Sequence, residues 1–178
     1  MLRTNQSISG DRGRRGGLCH ASAVVNYFID CSKREKIFLS NLSMQKLVYF
    51  AYGWTMVAKE KKLFYDRIEA WQYGPVIPSL YDQLKKFGRK RITHRILEFN
   101  HEKNKFFSWS LIKDSEVEKI VKKVWDYYKQ FSPAEMVNLT HALDTPWYKT
   151  VRDNGFYAVI SDELILKHFS EKEKRINM

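Results

Sequence analysis

The sequence predicts a mainly α fold: a compact helical bundle around one buried central helix, with a small antiparallel β-hairpin beside it. Three observations carry that reading. Apolar residues recur at three- and four-residue spacing along most of the chain, one stretch from Asn41 to Val57 is apolar nearly all round, and only short segments alternate with the two-residue period of a strand. At 178 residues, with 44% hydrophobic and 15% aromatic content, a single domain has enough apolar surface to bury a core.

Ala21, Val24, Val25, Phe28 and Cys31 mark one face of a first helix, read as a surface helix ending near Ser32. Ser40 or Asn41 offers an N-cap to the second, where Met44, Leu47, Val48, Phe50, Ala51, Trp54 and Val57 leave little polar surface and place the helix at the centre. Gly53 within it costs roughly 1 kcal/mol against alanine, which points to a close helix crossing. Leu63 with Phe64, and Ile68 to Trp71, are too short for three helical turns and read as extended pieces. Pro75 and Pro78 then lock their own dihedrals and bias Gly74 and Ile77 towards extended backbone, leading into a helix from Ser79 to Phe87.

Leu97 and Phe99, and then Phe107, Trp109 and Leu111, alternate with polar residues on either side of a loop from Asn100 to Asn104, the pattern of a hairpin. From Ser115 to Phe131 a helical stripe carries Val117, Ile120, Val121, Val124, Tyr128 and Phe131, with Ser115 and Glu118 spaced as a capping box. Ser132, Pro133 and Glu135 repeat the same grammar, so two helices meet there at an angle. Thr145, Pro146 and Trp147 open a short helix closed by Gly155, and Ser161 to Phe169 forms the last. Residues 1–20 read as a basic, disordered tail and 171–178 as a charged one, with the domain spanning 21–170.

The formal charge is +11, a field that favours anionic partners. Part of it lies in the tail, at Arg3, Arg12, Arg14 and Arg15, and part between Asp82 and Arg95, where Lys85, Lys86, Arg89, Lys90, Arg91 and Arg95 face one acid. The plain reading of the second group is a solvated turn, with Lys85 and Lys86 answering the negative end of a helix. The sharper one is a nucleic-acid-binding regulatory protein that uses 85–95 and the arginine tail. No run of apolar residues is long enough to span a membrane and the N-terminus lacks the apolar segment of a secretory signal, so a cytoplasmic protein without membrane contact is expected.

Chemistry-bearing constellations are few. Cys19 and Cys31 cannot form a four-thiolate zinc site, and Cys31 reads as a small core residue. His20, His94, His101, His141 and His168 lack the paired helical spacing of zinc ligands, and Gly13, Gly16 and Gly17 precede no strand and lack the lysine of a phosphate loop. No metal, cofactor or enzymatic activity is expected; His141, Asp144 and Glu69 would be the only catalytic candidates, and His141 reads more simply as a hydrogen-bonded helix end.

The stretches NLSMQKLVYFAYGW, FYDRIEAWQYGPVIPSLY and LTHALDTPW, in that order, resemble the Panacea antitoxin domain, also described as SocA-like or GepA-like and phage-associated. The resemblance rests on Gln45, Lys46, Leu47 and Tyr49; on Glu69, Ala70, Trp71, Gly74, Pro75, Val76, Pro78 and Tyr81; and on Thr140, His141, Pro146 and Trp147. It implies a mostly helical antitoxin of bacteria and their prophages that neutralises, by direct contact, a toxin encoded by an adjacent gene; one relative is an adaptor that hands its toxin to a protease. A protease or chaperone is thus a further partner, and nucleic acid another through the basic surface. The partner-binding candidates are Trp71, Tyr73, Pro75, Pro78, Tyr81, Lys85, Lys86 and Arg89. Trp71, Tyr73 and Tyr81 read first as core packing and otherwise as contact residues, since aromatic rings dominate both settings.

Overall fold

Helix α2 (Asn41–Lys59) runs through the middle of the molecule and packs against most of the other helices. The computed structural model describes residues 17–109 and 112–176; the tail arginines, Ser110 and Leu111 lie outside them. Around α2 pack α1 (Ala21–Arg34), α3 (Pro78–Leu84), α4 (Ser115–Tyr128), α5 (Pro133–His141) and α7 (Asp162–Ile176), with α6 (Pro146–Asn154) bridging α5 and α7. Two separate antiparallel hairpins complete the fold, β1 (Glu69–Trp71) with β2 (Gly74–Val76), and β3 (Glu98–Asn100) with β4 (Lys105–Phe107).

The central position of α2 follows from its composition. Ser40 caps it by accepting from the Ser43 amide at 3.2 Å, and Phe50 stacks on Tyr128 of α4 with ring centroids 4.1 Å apart. Gly53 is the crossing point expected from the sequence: an added Cβ would come within 2.2 Å of the Phe169 ring of α7. α4 and α1 are joined by Phe28 against Trp125, and by Glu35, which accepts from the Trp125 indole at 2.9 Å and from Lys129 at 2.8 Å.

Several boundaries differ from the sequence reading. α1 is no surface helix: Ser22, Asn26 and Ser32 are buried along with its apolar face. The 96–109 segment covers that second side, and Asn26 makes this possible by bonding Ile96 through both its amide groups and donating to Ser108 and Trp109. The cap of α4 is Asp114, whose carboxylate accepts from the Glu116 and Val117 amides, rather than Ser115. The Ser132–Glu135 capping box is present as expected. Gly74 has φ +95°, outside the extended range expected before a proline, whereas Ile77 is extended. Trp109 leaves the β4 ladder and stacks on His20 at 3.7 Å. Leu63 and Phe64 form no named strand, yet the Cys19 amide donates to the Leu63 carbonyl at 2.9 Å, so the folded region begins before Ala21. At the other end α7 continues to Ile176, seven residues beyond Phe169.

Candidate functional site

The three sequence motifs converge on the β1–β2 hairpin. Gln45 and Lys46 on α2 are both buried, and their side chains serve the backbone of the hairpin and its exit: Gln45 Oε1 accepts from the Ile77 amide at 2.9 Å, and Lys46 Nζ donates to the Pro75 carbonyl at 2.8 Å. Asn41 holds the Gln45 amide from one helical turn before, at 3.2 Å. A buried lysine with one protein acceptor is costly in its charged form, and burial pushes the Lys46 amine down to about 7.

Gly74 is required at this spot. Besides its positive φ, any side chain would come within 2.6 Å of Thr140 Oγ1 and 2.9 Å of Lys46 Cε. Thr140, on the last turn of α5, turns its hydroxyl back to the Val137 carbonyl at 2.8 Å and so lies flat against the hairpin. Trp147, on the first turn of α6, donates its indole N–H to the Trp71 carbonyl at 2.8 Å. His141 stacks face to face on Trp147, centroids 3.7 Å apart, and its buried Nε2 has no hydrogen-bond partner among the described residues. Its role as a hydrogen-bonded helix end is therefore replaced by stacking, and burial together with the nearby Lys46 charge lowers its basicity. Thr145 fixes the turn between α5 and α6, capping α6 and donating to the Thr140 carbonyl at 2.7 Å.

Above this frame sits an aromatic cluster. Trp71 is half-buried, its ring 4.8 Å from Tyr81 and 5.7 Å from Tyr157 between centroids, and its indole N–H goes to Glu69 Oε2 at 2.8 Å. The other Glu69 oxygen holds Arg67 at 2.7 Å and Asp144 is exposed; among the described residues no hydrogen bond joins either carboxylate to His141. Tyr73, at the turn, is 61% exposed, which removes it from the core reading. Pro75 is buried with its carbonyl occupied, and Pro78 is half-exposed at the first turn of α3, so the prolines support the hairpin more than they present it.

Residues 157–160 were missed at the level of sequence. The Tyr157 amide donates to the Ala70 carbonyl at 2.8 Å, the Ala70 amide to Ala158, and the Ile160 amide to Ile68, which lays this segment along the free flank of β1. Phe156, Tyr157 and Val159 consequently stand exposed, Tyr157 against the Trp71 ring and Val159 opposite Glu69. The short run Phe156 to Ile160, rich in β-favouring residues and bounded by Gly155 and Ser161, is the signal that could have found it. Lys85, Lys86 and Arg89 lie elsewhere, on and after the 3₁₀ turn that follows α3, and are exposed.

Comparison with known proteins bears on this frame directly. Residues 44–148 match the family model described as antitoxin SocA-like, Panacea domain, a span that contains the motif residues from Gln45 to Trp147. The chain belongs to the SocA-like Panacea domain family. Over 127 residues it is 32% identical to antitoxin SocA of Caulobacter vibrioides, covering 71% of this chain and 68% of that protein. No solved structure matches it. In this Panacea domain the motif residues Gln45, Lys46, Gly74, Thr140 and Trp147 are inward-facing struts of one hairpin, and the rings beside the hairpin face solvent. Among the described residues no helix is long and apolar enough to cross a membrane.

Proposed function

We propose that this protein is an antitoxin that neutralises a toxin encoded beside it, by gripping that toxin with the aromatic face of the β1–β2 hairpin. The observation that carries the reading is a contrast at the hairpin: buried polar struts hold its backbone, while Tyr73 and Tyr157 stand exposed and half-buried Trp71 packs on Tyr81 and Tyr157. Family membership supports the antitoxin role, and the geometry supports the choice of face. Tyrosine and tryptophan are the residues most often found at binding hot spots, and a hairpin clamped in advance loses little conformational freedom when it is covered.

Co-expression with the product of the adjacent gene tests the role, and Tyr73→Ala with Tyr157→Ala tests the face. Wild-type protein should relieve growth arrest. The double variant, whose substitutions lie on exposed rings, should stay folded and bind at least about 30-fold more weakly, the scale of a hot-spot loss of about 2 kcal/mol. Persistent toxicity in the presence of the intact antitoxin would refute the role; unchanged neutralisation by the double variant would refute the face. Following the toxin's half-life separates occlusion, in which its level holds, from delivery to a protease, in which it falls.

A further inference from the structure

A second surface lies beyond the far end of α3. The segment from Lys85 to Arg95 is not a loose turn. Ile92 is 1% exposed and its amide donates to the Leu39 carbonyl at 2.9 Å; the Ile96 amide is held by Asn26 at 2.9 Å; Phe87 packs on His94 with centroids 4.8 Å apart; and Arg95 pairs with Asp30. These anchors pull the apolar positions inward and leave the cations between them outside.

They also bring in a second basic run, Lys33-Arg34-Glu35-Lys36, from the end of α1. Arg91 lies over the Phe38 ring, 5.7 Å from its centroid, and donates to the Lys36 carbonyl at 3.5 Å. Lys36 occupies a left-handed position, φ +58°, where glycine or asparagine would be easier, and there it stands exposed beside the other cations. The nearby acids are largely engaged: Asp82 with Lys85, Asp30 with Arg95, and Glu35 with Lys129. Among the described residues no ion pair involves Lys36, Lys86, Arg89, Lys90 or Arg91.

We propose that this two-segment face binds the phosphodiester backbone of a nucleic acid, without reading its sequence. Composition decides between a nucleic acid and an acidic protein. Protein interfaces bury aromatic anchors and are depleted of lysine at their centres, whereas this face is dominated by uncompensated cations with one exposed ring, Phe38. Phosphate binding needs no apolar centre, because released counterions drive it. No helix of the face offers a row of polar side chains to base edges, so the contact is with the backbone.

The experiment is fluorescence anisotropy with the full chain and labelled duplexes of one sequence, one DNA and one RNA, between 50 and 200 mM salt. Five phosphate contacts give a log–log salt slope near −4.5 on B-DNA, an affinity loss of about 500-fold over that range. The variant Lys36→Gln, Lys86→Gln, Arg89→Gln, Lys90→Gln changes exposed side chains only, and its slope should be shallower by about 3.6. A second variant, with glutamine at Arg3, Arg12, Arg14 and Arg15, isolates the N-terminal arginines. Preference between the two duplexes identifies the source of the phosphates. Failure of both to bind at 50 mM salt overturns the proposal, as does a four-site variant that keeps the full slope while the arginine variant loses it. Slower association with an acidic partner protein, with both duplexes unbound, would assign the face to that protein instead. Tyr73→Ala should leave duplex affinity unchanged, so the fate of this proposal is independent of the hairpin reading.

Discussion

Replacing Lys46 with methionine probes the buried strut most directly. Burial takes the lysine from its ordinary 10.5 to about 7, so between those values the unfolded chain holds a proton that the folded chain has released. Wild-type stability attributable to this residue therefore rises with pH across that window, and below pH 7 the fold bears the full cost of the buried charge. At about 1.36 kcal/mol per tenfold change in proton affinity the whole cost is about 5 kcal/mol, of which about 3 kcal/mol is recovered by pH 9.5. Methionine removes the charge but strands the Pro75 carbonyl, at about 1–3 kcal/mol. The variant should then be the more stable protein at pH 6, and its advantage over wild type should shrink by about 3 kcal/mol between pH 7 and 9.5. Urea unfolding of both proteins at pH 6, 7.5 and 9.5 measures that difference; the common titration of tyrosines and cysteines cancels in it. A difference that stays flat with pH would mean that Lys46 keeps its ordinary proton affinity in the fold, and that its amine is solvated there rather than buried.

Gly53→Ala would ordinarily stabilise a helix by about 1 kcal/mol, but here the methyl group meets the Phe169 ring, and overpacking of about 1–3 kcal/mol should win. The melting temperature should fall by a few degrees and recover when Phe169→Leu is added; a rise in the single variant would contradict the crossing. His168 is buried and its basicity is pushed down to about 4, chiefly by desolvation, with Lys172 adding to it. Its contribution is intact above pH 6.5 and is lost as the pH falls towards 4, so His168→Gln should resist acid better than wild type by about 1–2 kcal/mol after allowance for solvent screening; identical acid midpoints would count against this. Trp147→Phe removes the indole bond to the Trp71 carbonyl and should cost about 1–3 kcal/mol, with hydrogen exchange accelerated first in the hairpin amides. Uniform acceleration across the chain would show that the hairpin does not open on its own.

How much of this could be read from residue patterns depended on whether the cause was local. The central helix declared itself because its apolar residues cover every face, and Gly53 because a glycine inside such a helix marks a place where a neighbour comes too close for a side chain. Trp125 lies at the edge of the α4 stripe, one turn after Val121, and its burial to 1% exposure depends on Glu35, which satisfies its indole. The burial of Lys46 could not be inferred either: a lysine beside a glutamine looks like helix surface until a carbonyl from residue 75 arrives to receive it. The convergence of the motifs is likewise a long-range fact, since Lys46, Gly74 and Thr140 meet only through the packing of α5 and α2 on β2. The basic face was half visible, in the 85–95 run, while its other half at the end of α1 was hidden by the distance along the chain.

The hairpin has one more property with consequences for any partner. β1 is lined by β2 on one flank and by Tyr157–Ile160 on the other, and on the remote side of β2 the Pro75 carbonyl and the Ile77 amide are already taken by Lys46 and Gln45. Those main-chain groups have nothing left to offer an incoming strand, so docking by β-augmentation at these positions is closed off. What is left to vary is the set of rings on the outside, which can be exchanged without touching the struts beneath; a lineage could retarget this surface by swapping side chains while its scaffold stays the same.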